Sequence, residues 1–147
     1  MRRLIISLLL VSVAFLGNLI AQVSVKLSVT GVHQPDGLLL LAVFNHPTQF
    51  PYNPFMEFKW PKDTLTGDKM VLEIELPEAG SYVLSILDDN NSNGRMDKNL
   101  IGLPKERFGF SNDARPGLIS PPDYKDCLVN IEPGHNEIDI HLQRYIH

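Results

Sequence analysis

The chain has 147 residues, the size of one ordinary domain, with 17 acidic against 13 basic side chains and a net charge of −4. An acidic balance disfavours nucleic acid or an anionic membrane surface as the main partner. Cys127 is the single cysteine, which excludes an internal disulfide and leaves stability to an apolar core, with or without a metal.

In chain order, the first element is a leader. Arg2 and Arg3 precede an apolar run from Leu4 to Leu16, and Ala21 offers a small residue after it. A basic end, a short apolar stretch and a small residue are the parts of a secretory signal peptide. The run is shorter than the roughly 20 residues that span a bilayer. Residues 1–21 are therefore expected to be removed, and residues 22–147 to form one domain of net charge −6, exported to the periplasm, cell surface or medium without a transmembrane span. A retained N-terminal anchor is the alternative.

Period-two alternation dominates the chain after the leader. Val23, Val25, Leu27 and Val29 alternate with polar residues, as do Met70, Leu72, Ile74 and Leu76, and then Ile138, Ile140 and Leu142. Such patterns suit strands with one wet and one buried face. Leu38 to Phe44 is a continuous apolar run, which predicts a central strand covered on both sides. Gly and Pro turns separate the runs at Pro35-Asp36-Gly37, Thr66-Gly67-Asp68, Pro77-Glu78-Ala79-Gly80 and Pro133-Gly134. The expected strands are 23–32, 37–45, 55–60, 69–76, 80–88, 124–132 and 135–143. About seven strands on short turns predict an all-β fold: an antiparallel two-sheet sandwich, immunoglobulin-like or transthyretin-like. Tyr82, at a strand entry, reads either as a tyrosine corner or as a plain core residue. Cys127, in an alternating stretch, reads as a buried structural thiol.

Two segments break the pattern. Residues 46–61 carry four prolines and a cluster of aromatics, among them Tyr52, Phe55 and Trp60. These three read as a stacking platform for sugar rings or apolar side chains, or as a cap over one end of the sandwich. Residues 88–123 form a long excursion without a strand signature, and loops of that length tend to be functional or cross-braced.

The excursion opens with the sharpest chemical signal. From Asp89, side-chain oxygens recur at alternate positions in Asp89, Asn91 and Asn93; Gly94 permits a tight reversal, Arg95 offers a backbone carbonyl, and Asp97 follows. That spacing matches the first nine positions of an EF-hand loop, in which alternate oxygens surround a hard Ca²⁺ ion. Position twelve, which should be a bidentate Glu, is Leu100. A further oxygen is needed, with Glu106 and Asp113 as candidates, and the expected affinity is weak, on the order of 10⁻⁵ to 10⁻³ M. The competing reading is an Asn/Gly turn closed by its own side-chain hydrogen bonds.

The string from Asp89 to Asp97, followed by Gly102-Leu103-Pro104-Lys105-Glu106 and Phe108-Gly109-Phe110-Ser111-Asn112, resembles the bacterial exported proteins grouped as domain-of-unknown-function family 2141. Val43-Phe44-Asn45 and Phe50-Pro51 fit the resemblance too, which runs over nearly the whole chain after the leader. It implies an exported β-sandwich, with Asp89, Asn91, Asn93 and Asp97 matching the family's acidic loop, and it carries no activity. Asp88 and Arg95 stand where close members tend to have His and Lys.

Signs of catalysis are sparse. The five histidines form no metal-hydrolase spacing, and no nucleophile elbow or phosphate-cradling loop is present. Asp88 and Asp89, as strand neighbours, point to opposite faces and do not flank one bond. Lys105, Arg107 and Arg115 read as an anion site or as solvated charge. The functional expectation is a non-enzymatic binding or accessory module of the cell envelope, stabilised by one Ca²⁺, with a protein or glycan partner. The alternatives are a metal-free structural component and a hydrolase with its site in the long loops.

Overall fold

The structure is a computed structural model that describes residues 23–117 and 120–145. The leader expected at 1–21 lies outside the described residues. Among the described residues no helix is long and apolar enough to cross a membrane.

Eight strands among the described residues form two sheets packed face to face. They are β1 (Val23–Thr30), β2 (Leu38–Phe44), β3 (Met56–Pro61), β4 (Lys69–Leu76), β5 (Gly80–Asp89), β6 (Arg107–Phe110), β7 (Val129–Ile131) and β8 (His135–His141). One sheet has the order β4-β1-β8; the other runs β3-β2-β5-β6, with β7 paired to the start of β5. The predicted two-sheet all-β sandwich is therefore present, with one topological correction. β1 pairs with β4 antiparallel but with β8 parallel, so the sandwich is not wholly antiparallel.

The alternating strands bury the faces their patterns predict. In β1 and β4 every second residue is buried, and Val25, Leu27 and Val29 are fully enclosed. With Leu39, Leu41 and Val43 of β2 and Leu84 and Ile86 of β5 they form the main core between the sheets. Tyr82 belongs to that core and is also a tyrosine corner: its hydroxyl donates to the Glu78 carbonyl at 3.0 Å. Both readings of Tyr82 hold at once.

A second, smaller core lies on the outer face of the larger sheet. Leu40 pairs with Leu87, and Leu87 with Phe108, while Ala42 and Ser85 lead to Phe110 in the same way. Paired residues share a face, so these side chains point away from the main core. At one end of this face Phe44, Val83, Phe108, Phe110 and Cys127 are buried beneath Phe50 and Tyr124. The rings of Phe44, Phe110 and Tyr124 all meet Phe50 edge-on at 5.2–5.9 Å. Leu40 and Ala42 remain half-buried, so the apolar run of β2 is covered on both sides only at its Phe44 end.

Two expectations about the excursion need correction. Residues 88–123 include a strand, β6, in which Gly109 sits opposite Ile86 and faces the main core. A Cβ there would lie 2.7 Å from the His141 carbonyl and 2.9 Å from Ile140 Cγ2, so glycine is what allows β6 to approach β8. Residues 124–132, expected as one strand, divide into a helical turn α1 (Tyr124–Cys127) and the short β7. Three-residue spacing on that turn sends Tyr124 and Cys127 together into the second core.

Candidate functional site: the Asp89–Asp97 loop and the groove beside it

The loop begins where β5 ends. Asp89 is fully buried, and its two carboxylate oxygens accept the backbone N–H groups of Asn93 at 3.2 Å and Gly94 at 2.8 Å. Gly94 takes φ +77°, the left-handed conformation that reverses the chain. Asn91 Oδ1 accepts from Asn93 N–H and Asn93 Oδ1 from Arg95 N–H, so consecutive side chains cap consecutive amides. The loop closes on Asp97, whose oxygens take the amide N–H groups of Asn91 at 2.7 Å and Asn93 at 3.0 Å.

Glu106 braces this ring from below. It is 6 % exposed, and its two oxygens accept the backbone N–H of Asn90 and of Asp97, each at 3.0 Å. One carboxylate thus ties the two ends of the loop together, and Lys105 N–H adds a bond to the Asp97 carbonyl. Of the two supplementary candidates, the fold brings Glu106 to the loop and takes Asp113 elsewhere. Asp113 follows β6 in a short 3-10 turn, and its carboxylate meets the backbone N–H of His141 at 3.4 Å. Among the described residues, no group of three or more His, Cys, Asp or Glu side chains is arranged to hold a metal on its own. The loop's oxygens are a mixed set of carboxylates, amides and the Arg95 carbonyl, all hard donors of the kind Ca²⁺ takes.

The loop also forms one wall of a groove. Gly94, Arg95 and Met96 lie over the half-covered outer face of the larger sheet, beside Leu40, Ala42 and Leu87, and enclose about 390 Å³. A second hollow of about 300 Å³ shares Tyr52, Met96, Phe108 and Phe110 with the first and extends towards Pro104 and Tyr145. The far wall is the 46–55 segment, with Tyr52 81 % exposed. Between Lys98 and Gly102, which line the second hollow, two further side chains stand bare, Leu100 at 106 % and Ile101 at 71 %.

The expected platform of Tyr52, Phe55 and Trp60 is divided by the fold. Tyr52 lines the groove and Phe55 is 41 % exposed, whereas Trp60 lies on β3 facing the other way. It stacks on Phe58 at 5.7 Å, and both pack against the main core. The alternation of β3 decides this: Trp60 pairs with Leu39, an inward residue. Of the basic residues weighed as an anion site, Arg107 donates to the Gly31 carbonyl at 2.9 Å, which ties β6 to the end of β1.

The one buried ion pair among the described residues was not legible in the sequence. Lys62, in a 3-10 turn after β3, is 1 % exposed, and its Nζ lies 2.6 Å from Asp88 Oδ1 and 3.0 Å from Asn90 Oδ1. The other oxygen of Asp88 accepts the backbone N–H of His33. A lysine after a proline-ended strand reads as solvated; only the register of β3, β2 and β5 turns it inward.

Comparison with known proteins is decisive at the level of family. A family model described as "Uncharacterized protein conserved in bacteria (DUF2141)" matches residues 27–139. The chain belongs to this family. The matched span of the DUF2141 model runs from β1 into β8 and includes the whole loop, Glu106 and β6. No curated protein and no solved structure matches the chain.

Proposed function

We propose that this DUF2141 protein is an exported, non-catalytic binding module whose ligand surface is the groove on the outer face of the larger sheet. In this reading one Ca²⁺ in the Asp89–Asp97 loop stiffens the groove wall. A single observation carries it: Gly94, Arg95 and Met96 belong both to the oxygen-rich loop and to the groove lining. Among the described residues, four of the five large apolar side chains that stand exposed, Tyr52, Phe55, Leu100 and Ile101, come from the two segments around that groove. Clustered exposed apolar side chains mark interaction surfaces, and the hollows fall in the size range of ligand pockets.

The donor set supports the metal. Asp97 now receives two amide N–H groups, which partly neutralise a carboxylate at the loop's centre. A divalent cation there would replace those contacts, and a half-turn of each amide would offer Oδ1 instead of Nδ2. Asp89, Asn91, Asn93, Asp97 and the Arg95 carbonyl would hold the ion, with Glu106 as brace. The acidic charge of the molecule favours a cation.

The test is a thermal melt of the mature protein with millimolar Ca²⁺ and with excess chelator. A site holding ion at 100 times its dissociation constant adds about 2.7 kcal/mol, or several degrees in Tm. We expect that shift in the natural protein and none in Asp89→Ala. The folded protein should also bind an apolar dye, and Leu87→Glu in the groove floor should abolish that binding. No shift at ten-millimolar Ca²⁺, about the weak limit for such modules, overturns the metal; dye binding untouched by Leu87→Glu overturns the groove.

A further inference from the structure

Lys62, Asp88 and Asn90 serve neither the loop's oxygens nor the groove, and they form a complete chemical set. Lys62 is a primary amine removed from water, with both its own side chain and that of Asp88 at 0 % exposure. Nζ contacts a carboxylate at 2.6 Å and a carboxamide oxygen at 3.0 Å. As an ion pair alone the arrangement gains little, because desolvating two charges offsets most of their attraction. As a reacting group it has an amine nucleophile, a proton carrier and an electrophilic carbonyl held together by strands β3 and β5. Effective concentrations in such fixed arrangements are very high.

We propose that Lys62 and Asn90 join in an intramolecular amide bond, with Asp88 carrying the proton. Asp88 takes a proton from the Lys62 ammonium along the 2.6 Å hydrogen bond. The carboxamide turns about its Cβ–Cγ bond to present its face, the freed Nζ lone pair attacks Asn90 Cγ, and the C=O electron pair moves onto Oδ1. Asp88 returns that proton to Nδ2 and takes the second one from Nζ, which after attack carries two hydrogens and a positive charge. The carbonyl re-forms, the Cγ–Nδ2 bond breaks, and the departing ammonia takes the second proton from Asp88 and leaves as ammonium. One C–N bond is made and one is broken, nothing is oxidised or reduced, and no further reactant is needed. Asn90 sits at the edge of the buried pocket, which gives ammonia an exit.

The position suits a staple. The bond would span the end of the larger sheet from β3 to β5, across the start of β2. Gly37 there has φ +87° and no room for a Cβ, which would stand 2.1 Å from the Asp89 carbonyl. The bond would enclose residues 62–90 and anchor the root of the Asp89 loop in a chain whose one cysteine forms no disulfide. It stands independently of Ca²⁺ and of the groove.

The experiment is mass spectrometry of the purified natural protein, intact and after proteolysis. We expect the mature chain to be lighter than its sequence by one ammonia, and the digest to contain a branched peptide joining Lys62 to Asn90. Succinimide formation at an Asn loses the same ammonia, so the branched peptide decides. Linear peptides with an unmodified Lys62 overturn the proposal. A branch at Asp88 with loss of one water overturns the choice of Asn90. In Asp88→Asn, with folding checked by circular dichroism, the branch should be absent; full cross-linking there overturns the role of Asp88.

Discussion

The hydroxyl of Ser111 is fully buried just after β6 and makes two bonds. It accepts from the Leu84 backbone N–H at 2.9 Å and donates to the Cys127 carbonyl at 2.5 Å. One small side chain therefore joins β5, the excursion and α1. Ser111→Ala strands a donor and an acceptor away from water, at about 1–3 kcal/mol for each unsatisfied group. We expect a loss of about 2–4 kcal/mol in urea denaturation; an unchanged midpoint would mean that the contacts are not made. Cys127 offers a pH-dependent counterpart. Burial, then Asp126 and Asp123, push its thiol up from 9.0 to about 11. Above the lower value the unfolded chain loses the proton first, so stability is complete below pH 9 and falls as pH rises towards 11. Melts between pH 8 and 11 should show that decline in the natural protein and a shallower one in Cys127→Ala. At this scale the buried thiol was expected from strand alternation, and Cys127 is buried, but by the turn of α1 and in a different core from Ile131.

Among the elements, legibility followed local regularity. β1, β4 and β8 alternate cleanly, each buries one face, and all three lie where their patterns predict. β6 escaped notice because four residues reading Arg-Phe-Gly-Phe hold too short an alternation, with glycine at the inward position. α1 escaped because its two inward side chains, Tyr124 and Cys127, follow a proline pair and blend into the alternation beyond. The candidate loop was readable from its spacing, and Glu106 was named as a supplementary donor. Its actual place, bridging Asn90 and Asp97, depends on β6 pairing back onto β5. β6 is thus the element that carries the brace, and Gly109 is its weak point. In Gly109→Ala the new methyl meets the His141 carbonyl and Ile140. Overpacking of this kind costs about 1–3 kcal/mol, and we expect a lower urea midpoint; an unchanged midpoint would mean that β6 is not held against β8.

At the scale of the molecule, the excursion and the aromatic segment form a third layer over half of the larger sheet. That layer buries Phe44, Val83 and Phe110 and leaves Leu40 and Ala42 half-buried. Neither the layer nor its limit is visible in a linear pattern, because each cover residue is distant in sequence from what it covers. The groove is what remains uncovered, which is why the sequence singled out the two segments without showing the surface between them. Trp60 illustrates the same limit: its aromatic neighbours in the 46–55 stretch are not its neighbours in space.

The parallel pairing of β1 with β8 has a consequence for how the smaller sheet closes. Lys26 and Glu137, a surface ion pair at 3.0 Å, are 111 residues apart. β1 is the first described strand and occupies the centre of its sheet, and one of its two partners is the last described strand. Contacts across such separations form slowly, since a long loop must close before they give any return. Until residues 135–141 are present, β1 has an open edge and its sheet cannot be completed. The smaller sheet therefore closes through a pairing that joins the two ends of the described fold, and without β8 its central strand stays bare on one side.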